Sequence, residues 1–158
     1  MTEEQNADDS VAAVLVVDDN KQNLELLLAY LEEVDCRTIA AAGGSEAIDI
    51  IKKAPPDLIL LDVMMPKMSG FEVCKRLKSD ANTAHIPIIM VTALNELGDI
   101  ERAINCGTDD FLSKPVNKWE LVTRVRTMLK LKHLTDKLER TLAYLSEVES
   151  QSQPRRAH

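Results

Sequence analysis

The sequence predicts a doubly wound α/β domain, a parallel sheet of five strands with helices on both faces, continued by an extended C-terminal helix. Short apolar runs alternate with helical patterns from residue 12 to about residue 132. The runs lack the polar alternation of a strand with one wet face, which suits strands covered on both sides. Glycine and proline mark the joins: Gly43-Gly44, Pro55-Pro56, Gly70 and Gly107.

In chain order, residues 1–10, "MTEEQNADDS", are acidic and polar and predict a disordered leader. "AAVLVV" (12–17) is the first strand, and Leu24, Leu27, Leu28, Leu31 and Val34 recur at helical spacing after it. "CRTIAA" (36–41) is the second, followed by Ala47, Ile48, Ile50 and Ile51. "DLILL" (57–61) is the third, followed by Phe71, Val73, Cys74 and Leu77. "IPIIMV" (86–91) is the fourth, followed by Ile100, Ala103 and Ile104; "DFL" (110–112) is the fifth.

At 158 residues with 45% hydrophobic and 28% charged side chains, the chain is long enough to bury a real core. Aromatic residues make up 3%, too few for a base-stacking platform. Net charge is −7: residues 1–116 carry 10 basic and 21 acidic side chains, residues 117–158 carry 9 and 5. No stretch reaches the 18 apolar residues of a membrane span, and the N-terminus is the opposite of a signal peptide. Cys36, Cys74 and Cys106 have no metal spacing, so reduced thiols and a cytoplasmic location are expected.

"VLVVDDN" (14–20) sets Asp18 and Asp19 directly after the first apolar run. Adjacent carboxylates cost free energy unless a cation stands by them; alternatively, Asp19 or Asn20 caps the next helix. In an open parallel sheet, chemistry gathers outside the carboxyl ends of the strands. Other strand ends supply partners: Asp62 in "LLDVMMP", Thr92 in "MVTA" and Lys114 in "FLSKP". Three carboxylates suit a hard divalent cation such as Mg²⁺. A carboxylate held there can attack phosphorus, with Thr92 and Lys114 meeting the phosphoryl oxygens. Asp62, alone at the end of the central strand, is the candidate nucleophile, leaving Asp18 and Asp19 for the metal.

At these residues the chain resembles the receiver domains of bacterial response regulators, the CheY-like family, over about residues 12–132. "VLVVDDN", "LLDVMMPKMSG", "MVTA" and "FLSKP" occur in the family's order and spacing. The resemblance implies a flavodoxin-like (βα)5 fold of strand order 2-1-3-4-5. It implies that Asp62 accepts a phosphoryl group from a sensor histidine kinase or phosphotransfer protein. It also implies that Asp18, Asp19, Asp62 and the Met64 backbone carbonyl hold Mg²⁺. Lys114 becomes the phosphate-pairing lysine, in a cis peptide to Pro115. Thr92 becomes the switch hydroxyl, with Ala93 leaving it room, and Phe111 takes the place of the switch aromatic; a core Phe on the last strand is the equal alternative. Such a domain is a signalling switch and not an enzyme beyond its own phosphorylation and dephosphorylation.

The last helical pattern starts near Asn117 and continues. Leu131, Leu134, Leu138, Thr141, Leu145 and Val148 keep 3-4-3-4-3 spacing, a heptad seam. A helix from 117 to 149 would run about 50 Å, too long to pack wholly on one small domain. A homodimer through the last helices, or a stalk, is expected; folding back on the domain is the alternative, and Thr141 and sparse flanking charges weigh against the coiled coil. The domains are therefore a leader (1–10), a receiver (11–132) and a helical extension with a frayed tail (133–158). Trp119 is expected to pack under the last helix. "DFLSKPVNKWELVTRVRTMLKLKHLTDKL" resembles receivers preceding diguanylate cyclase domains, yet no GGDEF signature occurs. A stand-alone regulator and one whose effector module lies elsewhere both remain open.

Two other functions compete. A phosphatase or phosphotransferase working through an aspartyl-phosphate would want a second acid two residues after Asp62, where Met64 stands. A flavin carrier would want a Ser/Thr/Gly-rich loop after the first strand, where "DDNKQN" stands. No motif for DNA recognition accompanies the basic last helix, so direct nucleic-acid and membrane partners are not expected.

Overall fold

The computed structural model describes residues 11–93, 101–102 and 104–152; the leader and the tail from 153 lie outside them, as do Ile100 and the Ala103 side chain. Five parallel strands form one sheet: β1 (Ala12–Val17), β2 (Cys36–Ala41), β3 (Leu58–Asp62), β4 (Ile88–Thr92) and β5 (Asp110–Ser113). Their order is β2-β1-β3-β4-β5, the CheY-like arrangement, with Val17 opposite Ala41 and Leu61, and Asp62 opposite Val91. β1 and β2 begin and end where the apolar runs do; β3 and β4 start one and two residues later.

The three inner strands are buried along nearly their whole length, because helices cover both faces. The edge strands differ: of β2 only Ala41, and of β5 only Leu112, is fully buried. Continuous burial therefore holds for the centre of the sheet and not for its rims, where one side has no neighbouring strand.

Helices α1 (Lys21–Tyr30), α2 (Gly44–Lys53) and α3 (Gly70–Ser79) follow β1, β2 and β3. Side chains fix where two of them start. Asn20 Oδ1 accepts the Asn23 N–H at 3.0 Å to open α1, and Ser69 Oγ accepts the Glu72 N–H at 3.3 Å to open α3. Residues 101, 102, 104 and 105 are helical, and Ile104 is exposed. One core layer joins β1, β3 and β4 to α2 and α3 through Leu15, Ile51, Ile59, Leu61 and Phe71. The other joins them to α1 and the last helix through Val14, Leu27, Leu60, Leu121 and Val125.

The last helix, α4, runs unbroken from Lys118 to Ser152. Leu121, Val122 and Val125 bury its first turns, and polar contacts tie it to the body, the Lys118–Glu33 ion pair among them. Arg124 meets Asp110 at 2.6 Å, Arg126 donates to the Glu33 carbonyl at 2.7 Å, and Lys132 stands 3.6 Å from Asp57. Leu131, Leu134, Leu138, Leu145 and Val148 are all exposed, so the apolar stripe does not fold back on the domain. Trp119 corrects the sequence reading: it is 67% exposed. At about 100° per residue it lies roughly a third of a turn from the buried stripe, on the flank of α4.

Candidate functional site

Four of the sequence-predicted residues meet where β1, β3 and β5 end. Asp18 follows β1 and Asp62 closes β3; both are almost fully buried, at 1% and 3% exposure, while Asp19 is exposed. One carboxylate oxygen from each of Asp18, Asp19 and Asp62 falls within 4.8 Å of the others. Lys114, just after β5, reaches into this group: Nζ donates to Asp62 Oδ1 at 3.0 Å and to Asp18 Oδ2 at 3.5 Å. Asp18 is held by its neighbours, since its N–H donates to the Ala41 carbonyl and its Oδ1 accepts the Asn20 N–H at 2.9 Å. Asn20, not Asp18 or Asp19, caps α1, so both acids are left for the cluster.

Three carboxylates face a single ammonium. Burial is the main force raising the Asp62 pKa above its ordinary value; Lys114 opposes the rise, and repulsion from Asp18 and Asp19 adds to it. The Lys114 pKa is also raised: partial burial works against its charge, but Asp62 and then Asp18 outweigh that. The two shifts look contradictory for one ion pair. They agree once the neighbours are counted, because Lys114 has two anions beside it whereas Asp62 has one cation and two anions. The site is short of positive charge. Hard oxygen donors with unbalanced negative charge fit a hard divalent cation.

The remaining predicted residues frame the cluster. Thr92 ends β4 beside Asp62's strand and is 7% exposed; its carbonyl accepts the Lys114 N–H at 2.8 Å, which ties the β4 end to the lysine. Ala93 follows it and is exposed, as is Pro115, which is joined to Lys114 by a cis peptide bond. Met64 lies two residues beyond Asp62 and is 65% exposed. Phe111 is 37% exposed on the β5 edge, so it is not the core phenylalanine of the alternative reading.

Gly70, read in the sequence only as punctuation within "KMSG", has a further role. Its N–H donates to the Val63 carbonyl at 2.9 Å, folding the loop after β3 back on itself. A Cβ there would overlap the Asp62 carbonyl oxygen and stand 2.8 Å from Val63 Cα. Only glycine lets the start of α3 approach the Asp62 backbone this closely. A glycine directly after the Ser69 cap, where helix propensity argues against it, was the available signal. Beside the cluster, Asn23, Leu26, Leu27, Tyr30, Pro115 and Val116 line an open cavity of about 470 Å³ that Lys114 also reaches.

Residues 14–126 match the response regulator receiver domain family. The response regulator PleD of Caulobacter vibrioides is 42% identical over 127 residues, which are 80% of this chain and 28% of PleD. The heme response regulator HssR of Staphylococcus epidermidis is 39% identical over 73% of this chain and 50% of its own length. The polar-differentiation response regulator DivK of Brucella ovis is 38% identical over 74% of this chain and 95% of its own length. The chain thus spans half or less of PleD and HssR but nearly all of DivK. Among solved structures, the signal receiver domain of a signal transduction histidine kinase from Syntrophus aciditrophicus is similar at 35% identity and a TM-score of 0.72. That match covers 76% of this chain and 91% of the other.

Proposed function

The chain belongs to the response regulator receiver domain family of two-component signalling, and from that premise we propose that Asp62 is its phosphoacceptor. The observation that carries this is the convergence of Asp18, Asp19 and Asp62 within 4.8 Å, with Lys114 bonded to Asp62. An Asp62 carboxylate oxygen forms the bond to phosphorus as the bond from phosphorus to the donor's nitrogen breaks. Asp18, Asp19, Asp62 and the Met64 carbonyl would hold Mg²⁺, which supplies positive charge to the incoming phosphoryl oxygens. Lys114 orients Asp62 and pairs with one phosphoryl oxygen, and Thr92 donates its hydroxyl to another. Nothing favours the phosphatase alternative.

Receiver domains take their phosphoryl group from histidine kinases or phosphotransfer proteins. The apolar cavity along α1, which Lys114 borders, offers such a donor a surface beside the site. In our reading the receiver unit is residues 11–132 and the helical extension is 133–158. The chain is a switch whose own chemistry stops at gaining and losing the phosphoryl group, and two copies associate through α4. When Thr92 is drawn towards the phosphoryl group, Phe111 and Ala93 adjust beside it, which changes the surface around β5. The phosphoryl group can bias this equilibrium only by binding one state better than the other.

The test is intact-mass spectrometry after incubation with a small phosphodonor and Mg²⁺. Wild type gains one phosphoryl group and Asp62→Asn gains none. Labelling of Asp62→Asn at the wild-type rate would place the acceptor elsewhere. No helix among the described residues is long and apolar enough to cross a membrane.

A further inference from the structure

The exposed seam of α4 carries information about direction as well as association. We infer that two copies of this chain pair antiparallel along α4, with residue i of one helix level with residue 279 − i of the other. This rests on the reading that α4 self-associates; one observation gives the free face and two set the direction.

The first is where the seam lies. At about 100° per residue, Leu131, Leu134, Leu138, Thr141, Leu145 and Val148 centre roughly half a turn from the Leu121, Val122 and Val125 stripe that faces the receiver. A second helix can cover it without displacing the domain. The five aliphatic members are 43–58% exposed, and Leu142 beside them is 56% exposed. Together with Tyr144 at the flank they offer on the order of 600–700 Å² per copy, close to the ~800 Å² per partner of a standard interface. A single soluble chain rarely leaves an apolar stripe of that size uncovered.

The second observation is the order of side chains within the seam. With Leu131, Leu138 and Leu145 at the a positions, the d positions hold Leu134, Thr141 and Val148. Parallel two-stranded coils favour the reverse, β-branched residues at a and leucine at d. A parallel pair would also stack Thr141 on Thr141. Antiparallel pairing sets each a residue against a d residue. The layers become Leu131 with Val148, Leu134 with Leu145 and Leu138 with Thr141, and every layer then contains a leucine.

The third is charge. In this register Lys130 comes level with Glu149, and both residues flank the seam. These opposite charges stand at the edges of the seam at the same height, not in direct contact, where screening is incomplete. A parallel pair sets each of these charges against its own kind.

The experiment uses the full chain carrying Leu131→Cys, Val148→Cys, or both, with light scattering, mild oxidation and mass mapping of disulfide-linked peptides. Positions 131 and 148 lie about 25 Å apart on one helix, so a 131–148 disulfide has to join two copies. The expected result is a dimer in solution in which mixed single variants cross-link 131 to 148, while Val148→Cys alone stays uncross-linked. A 148–148 cross-link overturns the antiparallel direction and leaves self-association standing. A monomer by light scattering, for the wild type at tens of micromolar, overturns both and points to a different protein on the stripe. A tetramer with 148–148 cross-links identifies a parallel bundle and likewise refutes the inference.

Discussion

Replacing Asp62 with asparagine should make the metal-free protein more stable, although it removes the Lys114–Asp62 ion pair. At an effective dielectric constant of about 20, the 3.0 Å pair attracts by about 5.5 kcal/mol, whereas two unit charges 4.8 Å apart repel by about 3.5 kcal/mol. Asp62 has two such anionic neighbours. Solvent screens exposed Asp19, so its share counts for less, and attraction and repulsion come near to cancelling. Desolvation then decides, because the Asp62 side chain is 4% exposed. The balance favours the neutral side chain by about 1–2 kcal/mol, equivalent to roughly 2–8 °C in Tm for a chain of this size.

The direction of the Asp62 pKa gives a second readout. The folded protein holds that proton above the ordinary value of 3.8, so between that value and the raised one it binds more protons than the unfolded chain. Stability from this group is therefore present at low pH and lost as pH rises through the window. Thermal melts in a chelator should show this decline in wild type and not in Asp62→Asn. Saturating Mg²⁺ should reverse the ranking, since a ligand at 100 times its Kd adds about 2.7 kcal/mol to the form that binds it. An Asp62→Asn variant that melts below wild type in chelator, at low and neutral pH alike, would refute the claim that the site lacks positive charge.

Gly70→Ala should cost about 1–3 kcal/mol by urea titration, as overpacking against the Asp62 and Val63 backbone outweighs the helix propensity it gains, and should slow phosphoryl labelling. Lys114→Ala leaves Asp18 and Asp62 without their ammonium. It should destabilise the metal-free protein by about 1–3 kcal/mol near neutral pH and by less below the carboxylate range, read by parallel melts. Asn20→Ala removes the cap of α1 and should cost about 1 kcal/mol with little effect on labelling. Thr92→Ala should keep labelling of Asp62 largely intact while weakening the downstream response; equal loss of both counts against its role as the switch hydroxyl.

Much of the fold was legible because it is written in short-range patterns. β1 could be bounded to the residue by an unbroken apolar run and β2 by a run interrupted only by Arg37 and Thr38, and α4 was visible from its repeat to within a few residues. The chemistry-bearing residues were legible for a related reason: in a parallel sheet every strand ends on the same rim, so Asp18, Asp62, Thr92 and Lys114 could be placed together from strand ends alone. Asn20 and Asp19 were not separable as caps, because both side chains suit that position and only the backbone direction after β1 chooses.

The sequence by itself thus determined which residues form strands and helices, and which side chains share the carboxyl rim. Only the tertiary structure decided the balance of charge there. Asp18 and Asp62 are buried and share Lys114 across 96 and 52 residues of chain, and no local pattern records how many anions one distant cation serves. It also decided exposure on α4: helical period says that residues share a face, but the neighbouring element says whether that face is covered. Trp119 points outward for that reason, and the seam stands clear of its own domain from Leu134 to Val148, while Leu131 borders a groove beside His85 and Pro87, since the receiver's surface ends before the helix does.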